Sequence, residues 1–310
     1  ARAKGISALR SISSGKKSRL AAYLVGFAGI ITVTFILSFY AIISGWMIAH
    51  FFDGFAQILE LNTISNWLVT DAPIRSSLFV ILFILFTVNI ISAGVENGIE
   101  KWASRLMPSL IVLLILLIFY VISLPGAMEG LRVYLIPDFS RLSDPTLLVD
   151  AMGQAFFSLS LGVGTMLIYG SYISDKENLP VIGGLVALLD IGIAVIAGLL
   201  ILPAMYVALS NGVEIFDSNG ELIAGPGLIV SVLPTLFDSM GTIGIAVSLA
   251  FFLLMTIASL TSSISMLEVP VSYAIEYHGI NRRRAAAGIG AIVTFISLLI
   301  VFNFDLLFDQ

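Results

Sequence analysis

The chain has 310 residues, 58% of them hydrophobic and 11% charged, with a net charge of −5. Soluble domains carry about a quarter charged residues, so an ordinary soluble domain is excluded. The absence of cysteine excludes disulfides and thiolate metal sites, and residues 1–20 lack the apolar core of a signal peptide.

The apolar residues come in continuous runs rather than in alternation, which rules out a barrel and predicts membrane-spanning helices. Seven spans are predicted, over residues 22–49, 77–95, 107–126, 151–173, 181–210, 241–275 and 285–303. Trp46 and His50 at the outer end of the first span read as an interfacial anchor. The connections 50–76, 127–150 and 211–240 read as extracytoplasmic loops; the latter two carry Pro137, Pro145, Pro226 and Pro234 with several acids. Within the last loop, Ile215–Ile223 reads as a small turn around Ser218-Asn219-Gly220.

Basic residues set the orientation. With the start of the chain cytoplasmic, the inner segments hold Arg2, Lys4, Arg10, Lys16, Lys17, Arg19, Lys101, Arg105, Lys176, Arg282, Arg283 and Arg284. The outer segments hold only Arg75, Arg132 and Arg141. The expected setting is a multi-pass protein of the cell membrane.

Three places carry polar or flexible residues where lipid-facing packing needs none. In the fourth span, Phe156–Gly164 (FFSLSLGVG) brings two glycines and two serines together, each glycine disfavouring helix by about 1 kcal/mol relative to alanine. A break there would free carbonyls for a cation and amides for a carboxylate; the alternative is close packing through small residues. Asp190 stands alone in the apolar run Gly183–Pro203, at a cost of at least ~2.5–3.5 kcal/mol in lipid. In the sixth span, Ser259, Thr261, Ser262 and Ser263 offer hard oxygens suited to an alkali cation, or simply bond back to their own helix. Glu268, nearer the cytoplasmic face, suits a structural role as well as a functional one. Together these features point to a small cation and a small polar solute near the bilayer midplane.

The run Gly153–Gly164 (GQAFFSLSLGVG) with Tyr169-Gly170-Ser171-Tyr172 closely resembles the unwound sixth helix of the neurotransmitter:sodium symporter family. Leu260–Ile264 (LTSSI) resembles that family's eighth helix. Tyr40 to Trp46, Gly98-Ile99-Glu100-Lys101 with Met107-Pro108, and Pro137-Asp138-Phe139 extend the resemblance over essentially the whole chain, in the family's bacterial amino-acid branch. The resemblance implies an all-α polytopic transmembrane helical bundle with the leucine-transporter-like inverted-repeat fold, of which this chain would supply helices three to nine of twelve. It implies that the first two and last three helices lie beyond the two ends, and that the chain alone would not transport.

Residue by residue, the resemblance assigns Tyr40 to the substrate carboxylate and Phe157 to an aromatic lid. Ser160 and Val163 would line the pocket, with Ser262 and Met266 around the substrate side chain. Ser158 and Asp190 would hold a first sodium ion; Ala258, through its carbonyl, with Thr261 and Ser262 would hold a second. Gln154 would lie near the outer vestibule, and Tyr172 and Glu276 at the cytoplasmic gate. Asp190 departs from the asparagine that many members carry. One turn on, where some bacterial members place an acid that replaces chloride, this chain has Ala194. Asp190 is therefore expected to supply that negative charge, to make transport chloride-independent and to titrate when sodium leaves.

The implied activity is sodium-coupled symport of a neutral amino acid by alternating access, with Na+ as the coupling ion and no covalent chemistry. The implied partners are an amino acid, sodium and membrane lipid, with no nucleic acid; nothing fixes an oligomeric state. The rivals are a sodium-independent or proton-coupled exchanger of the same architecture, a non-transporting sensor, and an intramembrane enzyme pairing Asp190 with Glu268.

Overall fold

The computed structural model describes residues 7–9, 15–70, 72–137, 139–141, 143–174, 176–218 and 220–304. Arg2, Lys4, Arg10, Asp138 and Asn219 lie outside the described residues. The elements are α1 (Lys16–Ile58), α2 (Asn62–Val69), α3 (Pro73–Ser92), α4 (Lys101–Ile122), α5 (Ala127–Leu135), α6 (Pro145–Ser158), α7 (Thr165–Tyr172), α8 (Leu179–Ser210), α9 (Leu233–Ser239), α10 (Thr242–His278) and α11 (Arg282–Phe302). Turns of π-helix, Val95–Glu100 and Leu228–Val232, lead into α4 and α9. Among the described residues, six helices are long and apolar enough to cross a membrane, as expected of an all-α polytopic bundle.

Two stretches differ from the sequence expectation. Helix α1 does not stop near residue 49 but runs 43 residues to Ile58, about 65 Å at 1.5 Å per residue. No proline or glycine pair interrupts Phe51–Ile58, and its aromatic residues continue the apolar run. The connection 50–76 is accordingly mostly helix, with Pro73 starting α3 at a position where its missing N–H costs nothing. His50 is therefore not an anchor at a helix end: it is 8% exposed and stacks on Phe252 with ring centroids 4.7 Å apart. Arg75, placed in the same loop by sequence, is also buried and donates to the Leu68 carbonyl at 2.8 Å.

One core joins α1, α3, α10 and α11, with α1 and α10 forming the most extensive helix pair. Hydrogen bonds fasten it: Thr87 on α3 meets Ser263 on α10 at 3.0 Å, and Ser297 on α11 donates to the Ser38 carbonyl of α1 at 2.8 Å. A second core gathers α4, α5, α9, the first half of α10 and the last third of α8. A small third cluster joins Val33 of α1, Ile168 of α7 and Val269 of α10, while α6 and the first part of α8 are held less. No residue of α6 is buried, and the buried residues of α8 fall only between Leu200 and Ala208. These loosely held segments flank the region where the fourth span breaks.

Between Asp217 and Glu221 the chain reverses through a small hairpin, closed by Ile223 N–H donating to the Ile215 carbonyl at 2.8 Å. Ile215 is fully buried and pins this turn to the second core.

Candidate functional site

The fourth span is two half-helices. Helix α6 stops at Ser158, α7 begins at Thr165, and Ser160, Gly162 and Gly164 lie between them at φ +52°, +86° and +91°. Left-handed backbone suits glycine and costs other residues about 1–2 kcal/mol, so the LGVG sequence ends one half-helix before the second begins. The end of α6 is closed by turn bonds, from Leu159 N–H to the Ala155 carbonyl and from Leu161 N–H to the Phe156 carbonyl. The break lies against α1 at Gly29, where an added Cβ would sit 3.2 Å from the Gly162 carbonyl oxygen.

At the end of α6 the Ser158 hydroxyl donates to both carboxylate oxygens of Asp190 on α8, each at 2.8 Å. A helix C-terminus carries partial negative charge, so this corner joins a dipole end, a carboxylate and a hydroxyl oxygen. All three favour a cation. On the other side of the break, the side chains of Tyr40 on α1 and Ser262 on α10 lie near each other. Thr261 donates to the Ala258 carbonyl at 2.8 Å. Val163 and Met266 pack in one small apolar cluster with Val33, Ile168 and Val269.

Ser160, Val163 and Glu276 line a cavity of about 310 Å³ that runs from the break toward the far end of α10, with Gly26 and Gly29 of α1 as its floor. Phe157 is 66% exposed and Gln154 is exposed, so neither is drawn to the other predicted residues. Ser259 and Ser263 are buried and bond back to the carbonyls of Thr256 and Leu260. For these two hydroxyls the plain structural explanation suffices.

The end of the site toward α11 is organised by residues to which sequence gave little weight. Glu268 is fully buried, pairs with Arg282 at 2.5 Å, and accepts the Tyr172 hydroxyl. Arg282 also donates from Nε to the Ile91 carbonyl at 2.8 Å, fixing the start of α11 against the end of α3. Tyr172 thus meets Glu268, not Glu276. Glu276 lies two turns further along α10, exposed, and accepts the Ser7 hydroxyl at 2.5 Å. The missed signal was the spacing itself: an acid in an apolar helix, followed past the Gly279 turn by arginine, is a ready ion pair. Asp190 and Glu268 have different partners and do not meet.

A family model described as the sodium:neurotransmitter symporter family matches residues 69–306. An uncharacterized sodium-dependent transporter of Bacillus subtilis, YhdH, is 31% identical over 94% of this chain and 63% of its own length. An uncharacterized sodium-dependent transporter of Haemophilus influenzae is 31% identical over 80% of this chain and 54% of its own. The chain thus spans less than two thirds of these relatives. Among solved structures, the crystal structure of MhsT in complex with L-phenylalanine superposes with a TM-score of 0.80 at 35% identity, over 98% of this chain and 67% of that one.

Proposed function

Because this chain belongs to the sodium:neurotransmitter symporter family, we propose that it forms the ion- and solute-binding part of a sodium-coupled symporter for a neutral amino acid. The observation that carries the proposal is the Ser158–Asp190 pair, which sets a carboxylate and a hydroxyl at the end of a half-helix. Carboxylate, hydroxyl and carbonyl oxygens are the hard donors that a small alkali cation takes, and a lone acid at membrane depth marks an ion path. In this reading Ser158 and Asp190 hold one sodium ion, and the Ala258 carbonyl with Thr261 and Ser262 holds another. The Tyr40 hydroxyl meets the amino-acid carboxylate, while Val163 and Met266 face its side chain. Phe157 and Gln154 close over the solute from the outside once it is bound, and Tyr172 with Glu276 belongs to the inner gate. That MhsT was solved with L-phenylalanine supports an amino acid as the solute.

Coupling needs no direct push. If sodium and solute both stabilise one closed arrangement of the break against α1 and α10, each tightens the binding of the other by the same factor. Alternating access then follows from movement of α6 and the first part of α8, the parts held least by the cores, and the start of the chain is cytoplasmic in a cell-membrane protein. Asp190 supplies the negative charge beside the first sodium, making transport indifferent to chloride.

The test is sodium titration of labelled amino-acid binding to the purified full-length protein. Asp190→Asn and Ser158→Ala are each expected to raise the sodium midpoint about tenfold, the effect of losing a charge-assisted hydrogen bond. Unchanged midpoints in both variants would remove the pair from the site, and strong stimulation of the unaltered protein by chloride would overturn the charge assigned to Asp190.

A further inference from the structure

Asp190 sits on a part of α8 that packing does not hold. The buried residues of α8 fall between Leu200 and Ala208, and its contacts with the second core end on the partly buried Ile196 and Ala197. Where the carboxylate comes to rest therefore depends on how the helix is gripped above it. The grip comes from α5. Ser210 of α8 donates to the Pro125 carbonyl just ahead of α5, at 3.2 Å. Gly130 of α5 is seated against the Leu202 carbonyl and Pro203, closely enough that an added Cβ would press on both. At the far end the Tyr134 ring rests on Gly198, where an added Cβ would overlap it, and its hydroxyl donates to the Val195 carbonyl at 3.0 Å. As residue numbers rise on α5 they fall on α8, so the helices run antiparallel and Tyr134 is the point of the grip nearest Asp190.

The geometry makes that point a lever. Val195 is five residues from Asp190, about 7.5 Å along a helix that rises 1.5 Å per residue. With the Tyr134 bond removed, the nearest firmly buried residue is Leu200, about 15 Å from Asp190 by the same rise. One and the same tilt of α8 then carries the carboxylate about twice as far. Rotation is resisted as well. At 3.6 residues per turn, Val195 lies roughly 140° around the helix from Asp190. Tyr134 thus holds α8 from one side and Ser158 meets it from another. Partly buried apolar contacts have no such direction, whereas a hydrogen bond does.

Resting on the symporter reading above, we propose that Tyr134 is a positioning residue for the first sodium ion: through Val195 and Gly198 it holds α8 at the tilt and rotation at which Asp190 meets Ser158. Tyr134 touches neither ion nor solute, and acts only through the carboxylate. The chain leaving α5 passes through residues 136–144 into α6, whose last residue is Ser158. One short helix is therefore tied to both halves of the ion corner, to Asp190 by a hydrogen bond on α8 and to Ser158 along the chain.

The experiment is a double-mutant cycle on sodium-dependent binding of labelled amino acid to the full-length protein. Tyr134→Phe keeps the ring and removes the hydroxyl. It is expected to raise the sodium midpoint about fivefold, the effect of one neutral hydrogen bond, and to leave amino-acid affinity at saturating sodium unchanged. In an Asp190→Ala background, which has no carboxylate to place, Tyr134→Phe is expected to shift the midpoint no further. Gly198→Ala, whose new methyl group displaces the Tyr134 ring, is expected to reproduce the shift of Tyr134→Phe. An equal shift with and without the Asp190 carboxylate would overturn the proposal, because Tyr134 would then act elsewhere. So would a parallel loss of sodium and amino-acid affinity, the mark of general loosening. A midpoint that moves in Asp190→Ala but in neither Tyr134→Phe nor Gly198→Ala would overturn the positioning role alone. Amino-acid binding indifferent to sodium in the unaltered protein would overturn the symporter reading and the positioning role with it.

Discussion

Glu268 has no solvent exposure, so its charge is matched entirely within the protein, by Arg282 and the Tyr172 hydroxyl. Removing one partner of a buried pair leaves the other uncompensated, at about 3–5 kcal/mol, whereas replacing both by apolar residues is close to neutral. Glu268→Gln is therefore expected to lower the unfolding midpoint in detergent strongly, and Glu268→Met combined with Arg282→Met to recover most of the loss. If the single and double variants unfold alike, the pair contributes no mutual compensation. The sequence showed the acid and the arginine but not their meeting. They stand 14 residues apart across a turn, and only the angle between α10 and α11 brings them together. Ser158 and Asp190 were more legible, because the family resemblance put both at one ion site and an acid alone in an apolar run must find a partner.

At the scale of elements, the break is where sequence and backbone agree most closely. Gly162 and Gly164 occupy left-handed conformations that an L-residue adopts only at about 1–2 kcal/mol. Gly164→Ala is expected to destabilise the folded protein by roughly that amount and to weaken sodium binding at the same time, because the same backbone positions Ser158. A stability loss with unchanged sodium affinity would show that the break and the ion corner are independent. The partner of the break was not legible. Gly29 lies in an ordinary stretch of α1, yet the Gly162 carbonyl approaches it so closely that a side chain there would press on the break. Gly29→Val is expected to widen that approach and raise the accessibility of a cysteine placed at Ser160, read as the rate of labelling in potassium. Equal rates in both backgrounds would mean that α1 does not hold the break closed. The length of α1 was misjudged for a related reason: apolar runs mark where lipid ends, while α1 continues to Ile58 against protein, with Asp53 satisfied by Gln57 and Ser65.

Over the whole molecule, the described residues divide into two packed cores, a small cluster holding α7 to α1 and α10, and a loosely attached group, α6 and the first two thirds of α8. The residues proposed to hold ions and solute sit where these groups meet: Ser158 and Asp190 on the loose side, Tyr40, Thr261 and Ser262 on the packed side. A ligand contacting both sides holds them together, and its departure frees them, which is all that alternating access asks of the fold. Hydropathy made the spans legible, but it says nothing about which spans pack together. The exposed α6 and the buried Phe83 and Phe252 read alike in sequence. The most direct test of the account is amino-acid uptake by the full-length protein in proteoliposomes, driven first by an inward sodium gradient and then by potassium in its place. Uptake that requires sodium, and that collapses in Thr261→Ala or Ser262→Ala, is the predicted result. Equal uptake in both salts would contradict sodium coupling and leave an exchanger, and sodium-dependent binding without uptake would contradict transport itself.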